Sequence, residues 1–142
     1  MRIARCTRGF MKILVCEGNI KNAKSYPFWP QPLEALKQHE IKKIEGILEE
    51  HEIIDLVNWC DIWISIDSLL QHLAAFHKLK PGIVIWGKSD PEIFGYKHNI
   101  NLLKDRKCLR PNQFAFWKDE PIDPEVFVAP EVILRAIEDM VQ

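Results

Sequence analysis

Two stretches of the sequence decide the fold class: DIWISIDSLLQHLAAF at residues 61–76 and KPGIVIW at residues 80–86. The first opens with an apolar run rich in β-branched and aromatic residues, which favours a strand, and continues with apolar residues at helical spacing. Pro81 and Gly82 end that helix, and a second apolar run follows. A strand, a helix and another strand predict parallel strands joined by a right-handed crossover.

The flanking segments continue the alternation of strands and helices. The apolar run at 12–16 predicts a first strand, a helix is expected from Pro32 to His39, and 41–45 predicts a weaker second strand. Helical apolar faces recur in two further places: Ile53, Leu56, Val57 and Cys60, then Ile133, Ala136, Ile137 and Met140.

The predicted architecture is therefore a single α/β domain with a doubly wound, Rossmann-like and mainly parallel sheet. It covers residues 11–142, and residues 1–10 are expected to be an N-terminal extension. The segment 89–130 is loop-rich, with one short strand predicted at Cys108 and Leu109.

The composition argues against several classes of protein. A chain of 142 residues with 47% hydrophobic and 27% charged residues is typical of one globular domain. Its 19 basic and 20 acidic side chains nearly cancel, so no overall field attracts nucleic acid or an anionic membrane. The four cysteines form no CxxC pair, and no apolar run is long enough for a signal peptide or a membrane span. We expect a cytoplasmic protein without nucleic-acid partner, transmembrane segment, metal site or disulfide framework.

Polar residues follow the strand predicted to end at Ile66. In an open parallel sheet, ligands bind beyond the carboxyl ends of the strands, which is where Asp67 and Ser68 stand. Ser68 is expected to cap the helix that begins at Leu69, and the free N–H groups there can hold a phosphate. The same pair is also typical of a plain helix cap, so both interpretations stay open on this feature alone.

The longer string over residues 61–91 resembles the pattern of family 9 glycosyltransferases, the heptosyltransferase family. That pattern is an aspartate and an apolar strand, Asp-Ser/Thr-Gly, two residues, His-Leu-Ala-Ala, Lys-Pro, a strand, Phe-Gly and Thr/Ser-Asp-Pro. This chain has Asp67-Ser68, His72-Leu-Ala-Ala, Lys80-Pro81, Trp86-Gly87 and Ser89-Asp90-Pro91 in that order. The resemblance implies the C-terminal half of a two-domain enzyme, which binds a nucleotide-sugar donor such as ADP-heptose.

The resemblance also implies site residues around this turn. Asp67 would orient the donor sugar or its phosphates, and backbone groups of Ser68 and Leu69 would cradle the diphosphate. His72 would lie beneath the turn, although a purely structural role is the alternative for it.

Two further donor contacts are implied upstream of that turn. Lys24, in the string KSYPFW, is similar to a family lysine that reaches donor phosphate, whereas an isolated lysine is commonly a solvated surface group. A glutamate after the second strand often holds the ribose in the family, and we prefer Glu49 over Glu45 for that role.

The chain departs from the family in two respects. Leu69 stands where the family usually has glycine, and its side chain can obstruct the approach of a phosphate. The acceptor domain, which supplies the catalytic aspartate, lies outside the resemblance, so the catalytic residue is unknown and transfer would need a separate acceptor-domain chain or a longer parent. No metal or cofactor is implied. The alternatives are a non-catalytic remnant or stand-alone binding protein of this fold, and an unrelated scaffold domain.

Overall fold

The computed structural model describes residues 10–18, 22–115 and 120–141. Five strands alternate with helices along these residues: β1 (Lys12–Cys16), α1 (Pro30–Ala35), β2 (Glu40–Lys43), α2 (Glu50–Trp59), β3 (Ile62–Ile66), α3 (Leu69–Phe76), β4 (Ile83–Ile85), α4 (Pro91–Phe94), β5 (Ile100–Leu102) and α5 (Pro130–Val141). The strands form one sheet in the order β2-β1-β3-β4-β5, and every neighbouring pair is parallel. The predicted α/β fold with a doubly wound parallel sheet is thus confirmed.

Helices cover both faces of the sheet because successive side chains of a strand point to opposite faces. In β3, Ile62 and Ile64 join the apolar core that includes residues of α5 and the partly buried Leu33 of α1. Trp63 points the other way, into the core formed with α2 and α3. All five residues of β3 are buried, as expected for a central strand that is covered on both sides.

The helix α1 differs from its predicted position. It begins at Pro30 rather than Pro32 and ends at Ala35, after which residues 36–39 form turns and a bend. Both prolines lie in the first helical turn, where a backbone N–H has no intrahelical acceptor, so neither proline interrupts the helix. The second strand, predicted at 41–45, is β2 at 40–43, and Gly46 turns the chain with a φ of 69°.

The prediction of a strand at Cys108 and Leu109 is wrong. Arg106–Cys108 form a short 3₁₀ helix, which begins after Asp105 because the Asp105 side chain accepts a hydrogen bond from the N–H of Lys107 at 2.9 Å. The fifth strand is instead β5, and it was not predicted. Its three residues are only half-buried at the edge of the sheet, and Ile-Asn-Leu is too short a run to indicate a strand.

At the amino-terminal side, Met11 is buried and its N–H donates to Nδ1 of His39 at 2.9 Å. The predicted extension over residues 1–10 lies outside the described residues except for Phe10, which is exposed. The longest helix, α5, has 12 residues. No helix in the described part of the chain is both long and apolar enough to span a bilayer.

Candidate functional site

The carboxyl edge of the sheet carries a cavity of about 230 Å³. It is lined by Cys16 and Gly18 after β1, residues 44 and 46–48 after β2, Ile53 of α2 and residues 68–70 at the start of α3. The chain leaves β1 toward β2 on one side and returns with β3 on the other side of β1. This reversal of strand order is where ligands bind in doubly wound sheets. Its walls are mostly apolar, with Ser68 the polar side chain among them.

The first turn of α3 keeps its backbone donors free of a side-chain cap. Ser68 is the N-cap residue, as predicted, but its hydroxyl makes no capping hydrogen bond. The Ser68 Oγ instead lies 3.0 Å from Oγ of Ser65 and 3.6 Å from Sγ of Cys16. Since the first four N–H groups of a helix have no intrahelical acceptor, a ligand oxygen is a suitable partner for them.

Asp67 and Lys24 form an ion pair at this edge of the sheet. Lys24 Nζ lies 3.2 Å from Oδ2 of Asp67, and the amide of Gln71 donates to Oδ1 at 2.8 Å. Lys24 is positioned by a turn in which its own N–H donates to Oδ1 of Asn22 at 2.8 Å. Both carboxylate oxygens of Asp67, which is only 9% exposed, are therefore engaged by protein groups. The ion pair ties the segment after β1 to the turn after β3.

Gln71 is a site residue that sequence reasoning did not identify. Its side chain is completely buried, and its Nε2 fixes the Asp67 carboxylate while its Oε1 has no hydrogen-bond partner among the described residues. The available sequence feature was the spacing of four residues between Asp67, just before the N-cap of α3, and Gln71 in its first turn.

Of the other predicted site residues, Leu69 lies at the cavity and two lie apart from it. Leu69 lines the cavity and is 60% exposed, so its side chain stands over the start of α3 rather than in the core. His72 is exposed on α3, with Nδ1 2.8 Å from the hydroxyl of Tyr96, and it lines a different groove.

Glu49 is the N-cap residue of α2. Its side chain accepts from the backbone N–H of Glu52, whose own side chain accepts from the N–H of Glu49 at 2.9 Å, a reciprocal capping box. Glu49 follows the cavity residue Leu48 in the chain but does not line the cavity. Its proposed contact with ribose stays a prediction.

The site contains no evident metal centre. In the described ranges, no group of three or more histidine, cysteine, aspartate or glutamate side chains is placed to hold a metal ion. What the arrangement offers is an apolar cavity, the start of a helix without a side-chain cap and a nearby lysine, which together suit an anion attached to an apolar or aromatic group.

Comparison with protein-family models, curated proteins and solved structures finds no match for this chain. The resemblance to family 9 glycosyltransferases therefore stays a prediction that depends on the sequence pattern over residues 61–91.

Proposed function

We propose that this chain is a nucleotide-sugar donor-binding domain of a glycosyltransferase of the family 9 type. The observation that carries the proposal is the cavity at the reversal of strand order, which opens at the uncapped start of α3. Lys24, bonded to Asp67 beside that start, supplies the positive charge that a diphosphate needs.

The volume of the cavity suggests which part of the donor lies inside it. Ligand pockets commonly measure roughly 300–1,000 Å³, so a cavity of about 230 Å³ is too small for a whole nucleotide-sugar. We assign its apolar interior, with Ile44, Ile53 and Leu70 among the walls, to the base and part of the ribose. The phosphates would lie outside it, at the start of α3 against the backbone of Ser68 and Leu69.

Binding of the diphosphate requires Lys24 to contact two anions at the same time, the Asp67 carboxylate and a phosphate. Its ammonium is bonded to Asp67 at 3.2 Å. An ammonium has three donors, so Lys24 can keep one bond to Asp67 while it donates another to a phosphate oxygen. Gln71 holds the carboxylate during this exchange because its amide remains bonded to Oδ1.

In transfer, this domain would stabilise the departing nucleoside diphosphate. The charge that develops on the leaving phosphate would be met by the dipole and N–H groups of α3 and by Lys24. A base from an acceptor domain, on another chain or elsewhere in a longer parent, would deprotonate the acceptor hydroxyl. Asp67 is held by Lys24 and Gln71, so it is assigned to positioning rather than to proton transfer.

The second candidate function is a stand-alone binding protein or non-catalytic remnant of the same fold. Leu69 is the observation that favours it, because this side chain lines the cavity at the place where the family pattern has glycine. A leucine side chain there can sterically block a phosphate from approaching the backbone closely.

Isothermal titration of the full chain with ADP, UDP and GDP tests whether the cavity is a donor site. We expect one of the three nucleotides to bind, and Lys24→Ala to weaken its binding about tenfold because a charge-assisted hydrogen bond is lost. Lys37→Ala is the matched control, since Lys37 forms an ion pair with Glu34 on the surface of α1 and its following turn, outside the cavity lining. Equal affinities of the Lys24 and Lys37 variants would contradict the assignment of Lys24.

Leu69→Gly tests the obstruction directly. If the leucine limits phosphate approach, the variant binds the same nucleotide more tightly than the parent does, although glycine costs about 1 kcal/mol of helix stability. Absence of binding by both the parent and Leu69→Gly would favour the remnant or scaffold alternative over donor binding.

A further inference from the structure

A second cavity adjoins the same lysine. It measures about 260 Å³ and is lined by Lys24, Phe94, Gln113, Phe114 and Ala115. The ammonium of Lys24 is bonded to Asp67, and the residue after Asp67 lines the first cavity. The ion pair therefore joins a residue of the second cavity to the turn that borders the first.

The wall of the second cavity is fixed by Gln113. Its Oε1 accepts the N–H of Asp90 at 2.8 Å, and its Nε2 donates to the carbonyl of Lys88 at 2.9 Å. Asp90 in turn caps α4, the helix that ends at Phe94. These bonds hold the segment that carries Phe114 against α4, which is a condition for a preorganised binding surface.

The two phenylalanine rings form an exposed aromatic surface on this wall. The ring centroids of Phe94 and Phe114 lie 5.6 Å apart with an interplanar angle of 68°, an edge-to-face contact. Phe114 nevertheless remains 78% exposed, so most of its ring is available to cover a ligand. The cavity thus presents an apolar ring surface together with the ammonium of a charged pair.

We propose that the second cavity holds the sugar ring of the donor and that Phe114 packs against its C–H face. This inference rests on the proposed donor-binding function. A pyranose has an apolar face of C–H groups that suits an aromatic ring, and hydroxyls that suit the ammonium of Lys24. The base is assigned to the first cavity and the phosphates to the start of α3, so the sugar is the part of the donor that remains for the second cavity. Phe114 is then a residue that discriminates nucleotide-sugar from free nucleotide.

The test compares each nucleoside diphosphate with its sugar conjugate by isothermal titration of the full chain. The probe pairs are ADP and ADP-glucose, UDP and UDP-glucose, and GDP and GDP-mannose. In the parent, the conjugate of the preferred nucleotide should bind more tightly than the nucleotide itself. Phe114→Ala should lower the affinity for the conjugate roughly three- to tenfold and leave the affinity for the nucleotide unchanged. Phe76→Ala is the matched control, because Phe76 is 79% exposed and lines neither cavity.

The outcomes distinguish this inference from the function on which it rests. If a nucleotide binds but Phe114→Ala weakens nucleotide and conjugate equally, the sugar assignment is overturned while donor-site binding stands. The same holds if the conjugates bind no more tightly than the free nucleotides. If neither nucleotides nor conjugates bind the parent, the proposed function and this inference fail together.

Discussion

Replacing Gly82 with alanine should destabilise the sheet that positions the site. The added Cβ would lie 2.1 Å from Cδ2 and 2.2 Å from Cε2 of Trp63, whereas ordinary contacts fall at 3.4–4 Å. The Trp63 ring is fully buried and its Nε1 donates to the carbonyl of Lys80 at 2.9 Å, so it cannot move away without losing that bond. Overpacking costs about 1–3 kcal/mol and a lost hydrogen bond about 1 kcal/mol, so we expect a total of about 2–4 kcal/mol.

Urea titration and thermal unfolding followed by circular dichroism measure this change. A loss of about 3 kcal/mol corresponds to a fall of roughly 10 °C in Tm for a chain of this size. Gly46→Ala is the matched control: nothing lies within 4 Å of its Cβ, and its φ of 69° leaves only the backbone cost of about 1–2 kcal/mol. Combining Gly82→Ala with Trp63→Leu should cost less than the sum of the single changes. A Gly82→Ala loss below about 1 kcal/mol would refute the packing described here.

Two further predictions follow from the charges and thiols. Arg106 lowers the pKa of the Asp90 carboxyl in the folded state through a hydrogen bond, so the unfolded state binds more protons and stability falls as pH drops below about 4. Arg106→Gln should therefore flatten the dependence of unfolding free energy on pH in acid, and an unchanged acid slope would contradict this. Burial raises the pKa of the Cys60 thiol to about 11, so iodoacetamide at about pH 8 should modify the half-buried Cys108 well before Cys60. Peptide mass mapping measures the order of modification, and faster modification of Cys60 would contradict this prediction.

The central strands could be predicted from sequence because their physical signature is local. A parallel strand covered on both faces is a continuous apolar run, and β1, β3 and β4 all have that form. The edge strand β5, with the sequence Ile-Asn-Leu, is half-buried and too short for a pattern to emerge. The strand predicted at Cys108 was wrong for a different reason. The apolar residues there indicated a strand, but the Asp105 side chain caps a 3₁₀ helix instead.

The site was partly predictable for the same physical reason. Asp67 and Ser68 follow a recognisable strand, so their position at the carboxyl edge follows from topology. The direction of the Ser68 hydroxyl could not be predicted, since it depends on Ser65 and Cys16 on neighbouring strands. The role of Gln71 was equally hidden, because a buried glutamine is recognised only once its partner carboxylate is located.

The most direct test of the account is a titration of ¹⁵N-labelled chain with ADP, UDP and GDP, followed by amide resonances. If a nucleotide binds at the cavity, the N–H groups of residues 68–70 should show the largest shifts, because these residues line the cavity at the uncapped start of α3. Amides around Gly18 and Gly46, which line the same cavity, should shift with them. Shifts centred on the groove of His72 and Tyr96, or no shifts with any nucleotide, would contradict a donor site at this edge of the sheet.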